Sequence, residues 1–161
     1  MATHMRLMGR LANRDDWSAT RCSIDRTFAL LGTRSAMLLM REAYYGTARF
    51  DDFVARTGFT EAAAAARLKD LVEAGLLERR PYQVPGQRTR SAYALTEPGR
   101  DLLPTVLGLL QWGDRYIAPG DGGPAVALTH ADCGSSVSAH VRCDAGHDVT
   151  LEEIEMHATP H

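Results

Sequence analysis

Lysine is nearly missing from this chain of 161 residues: 17 of its 18 basic residues are arginine. Arginine suits bidentate contacts to phosphate and guanine, although a GC-rich genome would produce the same bias along with the many alanines. Cysteine is also scarce. Cys22, Cys133 and Cys143 include no CxxC pair and make an odd number, which excludes a disulfide framework and a thioredoxin-like redox motif. No apolar run is long enough to span a bilayer, and the first residues lack the apolar core of a secretory signal, so a cytoplasmic protein without a membrane partner is expected. There is no Ser/His/Asp arrangement and no phosphate-cradling glycine loop, which leaves nothing to support an enzyme.

What is present describes an ordinary globular chain, 45% hydrophobic and 24% charged, long enough for one sizeable core and an appendage. The net charge of −2 hides an asymmetry. Residues 1–119 hold 17 Lys+Arg against 13 Asp+Glu, whereas residues 120–161 hold one Arg against seven acids. A basic working domain followed by an acidic tail is the natural division.

Residues 1–21 carry Arg6, Arg10, Arg14 and Arg21 with little periodicity and read as a basic N-terminal arm or a frayed terminus. Helices are expected over Cys22–Leu31, Arg34–Tyr44 and Phe50–Arg56, each ended by glycine or a glycine-containing turn. Thr60 can cap the next helix, with Glu61 in its first turn. Ala62 to Ala74 contains no breaker, and Leu68, Leu71 and Val72 form an apolar face before Gly75 ends it. Leu76-Leu77 begins a strand whose partner is Ser91–Leu95, with Pro85-Gly86 in the loop between them. Thr96 can cap a last helix running to about Tyr116, with Pro98 in its first turn and Pro104 expected to kink it or delay its start. Leu103, Val106, Leu107 and Leu110 stripe that helix, Leu102 and Leu109 widen the stripe, and Trp112 anchors its end. One small domain does not easily bury both this stripe and the first helix, so a second subunit is expected to cover them.

The predicted fold is therefore mainly α with a small β-hairpin: a winged helix-turn-helix with flanking dimerisation helices and a small C-terminal extension. Its domain is set at 22–118, with a linker at 119–124 and the acidic extension at 125–161. Arg67-Leu68, the run Gly75 to Tyr82, and Tyr93 to Arg100 resemble the HxlR-type (MarR-like) bacterial transcriptional regulators. The resemblance extends from Cys22 through Leu103-Pro104 and Gln111 to Asp114, up to about Tyr116.

The resemblance implies a homodimer on a pseudo-palindromic, double-stranded operator, with the family's wing at the hairpin. Arg88 and Arg90 then contact phosphates or an adjacent minor groove, while Thr60, Glu61, Arg67 and Lys69 line the major-groove helix. Where the family commonly offers polar side chains, this helix presents Ala62 to Ala66, so direct base readout is expected to be weak. The same feature supports an alternative, a winged-helix protein–protein interaction module in which DNA binding is weakened or lost.

In the extension, Ala125–Leu128 and Val137–Arg142 read as strands and Thr150–Met156 as an acidic finish. His130, Cys133, Cys143 and His147 have a credible spacing for tetrahedral zinc, and longer HxlR-type relatives carry cysteines in such a tail. A degenerate zinc ribbon and a metal-free hairpin both stay open. Some HxlR-type regulators sense oxidants through a cysteine at the position of Cys22. A helix start flanked by Arg21 and Arg26 is a setting for a reactive thiol, and a small buried hydrophobe is the other reading.

Overall fold

A computed structural model describes residues 3–16, 22–83, 90–117, 124 and 126–159. Its described residues fall into two compact units. One is drawn from Ser23–Ala127, the other from Met1–Cys22 together with Leu128–His161.

The larger unit contains six helices and a hairpin: α1 (Ser23–Leu31), α2 (Arg34–Tyr44), α3 (Phe50–Thr57), α4 (Glu61–Glu73), β2 (Leu77–Tyr82), β3 (Arg90–Leu95), α5 (Glu97–Asp101) and α6 (Leu103–Tyr116). Thr33 caps α2, its Oγ1 accepting from the Ala36 N–H at 3.2 Å. Ala36, Leu39, Met40 and Ala43 turn into the core, so α2 is the central helix. Phe53 of α3, Leu68 and Leu71 of α4, and Leu77 of β2 close around it. Phe53 meets Tyr93 of β3 edge to face, with ring centroids 5.9 Å apart.

The junction of α2 and α3 is locked by a buried carboxylate. Glu42 accepts from Arg41 at 2.7 Å and from Thr47 Oγ1 at 3.2 Å, and Thr47 in turn accepts from Arg56 of α3. A buried charge needs such partners to be tolerated. Gly58, at φ +69°, ends α3, and Gly58-Phe59-Thr60 forms the short turn into α4. At the other end of α4, Gly75 at φ +72° donates to Val72 O and Leu76 donates to Leu71 O. These two bonds are a Schellman stop, which explains why the helix ends where it does.

The hairpin is antiparallel and pairs Leu77 with Leu95 through Tyr82 with Arg90. Its strands therefore extend past the expected ends, taking in Pro81, Tyr82 and Arg90. A third backbone segment joins it: Tyr93 donates to Ala48 O at 2.8 Å, and Arg49 bridges Ala92. Thr96 then caps α5, accepting from the Gly99 N–H while its hydroxyl reaches the Leu76 carbonyl. Tyr44 donates to Gly99 O at 2.6 Å, and burial pushes its phenol up to about 12.

The single last helix expected over 97–116 is in fact two. It breaks at Leu102, and Pro104 lies in the first turn of α6. A proline has no N–H to give and its ring clashes with the carbonyl four residues back, but neither matters in a first turn. No residue of α6 is buried.

In the smaller unit, β1 (Arg6–Leu7) pairs in parallel with β4 (Glu155–Met156). Arg6 also forms an ion pair with Glu155 at 3.2 Å. Residues 6 and 7 are thus tied to the tail rather than frayed. The strands expected at 125–128 and 137–142 do not form among the described residues, and Ala125 lies outside them. Instead, isolated bridges between Thr129 and Ser136 and between Arg142 and Asp148 close two turns. Of the expected linker, only Pro124 is described. Among the described residues no helix is long and apolar enough to cross a membrane.

Candidate nucleic-acid interface

The helix-turn-helix presents α4 to solvent along one face. Ala64, Leu68 and Leu71 point inward, leaving Glu61, Ala62, Ala63, Ala65, Ala66 and Lys69 exposed. The four exposed alanines offer methyl groups and no hydrogen bonds, so this surface can fit against a groove but reads few base edges.

Of the four candidates at α4, Glu61 is exposed in the first turn, and the other three already have work within the fold. Thr60 Oγ1 accepts from the Ala63 N–H at 3.2 Å and so serves as the helix cap. Arg67 is half-buried and lies along the helix toward Asp70, 2.9 Å away. Its Nε is shielded from solvent and has no hydrogen-bond partner, an unmet donor that gains a bond when the side chain swings toward water or a phosphate. Lys69 is exposed and 3.5 Å from Glu73. Surface pairs of this kind contribute about 0–1 kcal/mol, so a phosphate can take the lysine from its partner.

At the hairpin, Arg90 meets Asp51 of α3 at 3.2 Å, both well exposed. Arg88 lies outside the described residues. Arg80 pairs with Glu78 on its own strand, and Arg79 lies over the Tyr93 ring. Sequence reading missed Arg49, whose guanidinium sits 5.2 Å over the Tyr82 ring beside Arg90's strand. It also missed Asp51 as the acid facing the wing. Neither had a sequence signal, because the bridge from Arg49 to Ala92 and the Arg90–Asp51 pair join segments some 40 residues apart.

Cys22 is half-buried immediately before α1. The four proposed zinc ligands are not brought together. His130 Nδ1 lies 3.3 Å from Cys133 Sγ, yet among the described residues no three His, Cys, Asp or Glu side chains gather around one point. Cys133 and Cys143 are both exposed thiols. Each turn is held by its own backbone, with Gly134 donating to His130 O and Cys143 donating to His147 O. The Ser135 hydroxyl, and then its backbone, hold the Cys133 thiol below its ordinary value. This arrangement does not fit a closed four-ligand zinc site.

Comparison with known proteins agrees with the geometry. The sequence model of the HxlR-like helix-turn-helix family matches residues 30–121. Rv3095 of Mycobacterium tuberculosis, an uncharacterized HTH-type transcriptional regulator, is 35% identical over 139 residues, 86% of each chain. Among solved structures, the candidate transcription factor PA1607 is 30% identical with a TM-score of 0.77, over 87% of this chain and 96% of its own. The oxidized redox regulator HypR is 29% identical with a TM-score of 0.54, over 61% of this chain and all of its own. This chain belongs to the HxlR-like helix-turn-helix family and is a transcriptional regulator of that type rather than an enzyme.

Proposed function

We propose that the chain acts in the cytoplasm as a homodimer that binds a pseudo-palindromic, double-stranded operator. The observation that carries this reading is the exposed face of α4 followed by an antiparallel hairpin that sets Arg80 and Arg90 on one of its faces. Phosphate contacts from the wing supply most of the affinity, and shape supplies more of the selectivity than base edges do. Four exposed apolar side chains, Ile24 (67%) and Phe28 (66%) on α1 with Leu109 (55%) and Trp112 (55%) on α6, support a second copy covering these helices. A twofold dimer presents two α4 helices to two half-sites. Cys22 is the candidate for a redox response, since HypR is a redox regulator. Operator binding and an oxidant response that Cys22→Ala leaves unchanged would remove that role.

The test is fluorescence anisotropy with DNA from around the chain's own gene, across a salt series. Replacing Arg88 and Arg90 together by alanine weakens binding to every sequence and flattens the salt dependence by about 0.9 per lost phosphate contact. An unchanged slope sinks the wing assignment. The four exposed alanines favour a second reading, an interaction module without DNA. A folded dimer that binds no fragment at low salt selects it.

A further inference from the structure

We propose that Arg49 is a further DNA contact, a guanidinium mounted on the Tyr82 ring that takes a backbone phosphate of the operator beside the one held by Arg90. This rests on the DNA-binding reading and deepens it, adding a contact residue from outside the hairpin.

The placement follows from strand register. Residues opposite one another across an antiparallel ladder point to the same face, and neighbours along a strand alternate. Ala92 of β3 faces Arg80 of β2 on one side and Arg49 on the other. Two residues along, Arg90 faces Tyr82. Arg49, Arg80, Tyr82 and Arg90 therefore share one face, while buried Tyr93 turns the other way onto Phe53. Arg49 and Arg90 are diagonal neighbours on that face, a relation that sets residues about 7–8 Å apart. Two arginine side chains at that spacing can hold phosphates of one DNA strand together.

Their partners single out Arg49 within this face. Glu78 is engaged by Arg80, and Asp51 by Arg90 at 3.2 Å. Arg49 is exposed, its guanidinium lies 5.2 Å over the Tyr82 ring, and among the described residues it meets no acid. An aromatic ring beneath a guanidinium limits how far it swings and leaves its in-plane N–H groups for an anion. A phosphate arriving at Arg49 meets a held cation with no carboxylate to displace, unlike one arriving at Arg80 or Arg90. Bracing the 48–49 segment against the hairpin is the competing role for the same stack. Bracing predicts a loss of stability in place of a lost charge contact.

Fluorescence anisotropy over a salt series, with the full chain and DNA from around its own gene, reads the contact. Arg49→Met keeps an apolar stem over the ring. It should weaken binding to every fragment roughly tenfold and flatten the salt dependence by about 0.9 per chain bound. Its urea midpoint should match the parent's, and Arg49→Lys should keep the parent's slope. Added to Arg88→Ala with Arg90→Ala, Arg49→Met should flatten the slope by the same further amount, because each phosphate contact contributes its own share. An effect that vanishes in that background makes Arg49 a support for Arg90 and overturns the contact. A lowered urea midpoint with the slope intact assigns Arg49 to bracing and overturns it too. A slope that responds to Arg88→Ala with Arg90→Ala but not to Arg49→Met overturns the Arg49 contact alone. A parent that binds no fragment at low salt overturns the DNA-binding reading itself.

Discussion

Arg67 shows how much a neighbour decides at the scale of single residues. On a helical wheel it is the first long basic side chain of α4, pointing toward a groove. In the fold it reaches back to Asp70 and loses its Nε to the interior, and spacing alone carries no sign of that. Gly99 is the reverse case, a glycine whose need is invisible until Leu76 is placed beside it. Its α-carbon packs on the Leu76 carbonyl so closely that any β-carbon collides with it. The φ of Gly99 is not in the left-handed region, so the constraint is space and not backbone freedom. Gly99→Ala should therefore destabilise the larger unit by about 1–3 kcal/mol, the usual cost of forcing atoms into a packed site. Urea denaturation measures it, and an unchanged midpoint would show that α5 shifts freely.

Among the elements, the helices α2, α3 and α4 were legible because an apolar face and a glycine stop agree in each, although α3 has no side-chain cap. The hairpin was legible only in outline, since strand length depends on the partner strand and on the Ala48–Arg49 segment that docks beside it. That docking sets Asp51, in the first turn of α3, against Arg90. Asp51→Asn should free Arg90 for phosphate, tightening DNA binding several-fold at low salt and steepening its salt dependence by up to about one unit. Weaker binding in this variant would mean that Asp51 holds Arg90 in the productive place.

The tail element depends on acids. Arg142, first by hydrogen bond and then by charge, holds the Asp148 carboxyl below its ordinary value, and the Thr150 backbone does the same for Glu153. A carboxylate whose folded value is depressed stabilises fully above its ordinary range. That support disappears as pH falls through the depressed value. The turns at 142–148 and 150–153 should then open on acidification, below the pH where free carboxylates titrate. Amide exchange of Val149 and Ile154 against pH reads this directly, and protection that stays flat down to pH 2 refutes it.

At the scale of the whole molecule, α6 is the element a single chain leaves unfinished. Its stripe was expected to need a cover, and no residue of α6 is buried. Leu109→Glu combined with Trp112→Ala should raise the dimer dissociation constant at least about tenfold per side chain, from the apolar burial each loses. Sedimentation velocity tests it. A pair of substitutions that leaves self-association intact moves the interface elsewhere. Cooperative binding to a palindromic fragment should fall with the dimer, whereas binding to a single half-site should not.

Local chemistry was enough to specify the helix-turn-helix and the position of its wing, because caps, helix propensity and glycine stops act within a few residues. Sequence alone also showed that Ala62 to Ala66 of the presented helix carry no hydrogen-bonding side chain. Only the tertiary structure decided which cations are occupied by nearby acids, that β1 pairs with the far end of the chain, and that the four proposed zinc ligands do not gather around one point. Those outcomes depend on contacts between distant segments, whose geometry is set by packing and by competition for partners rather than by any local pattern.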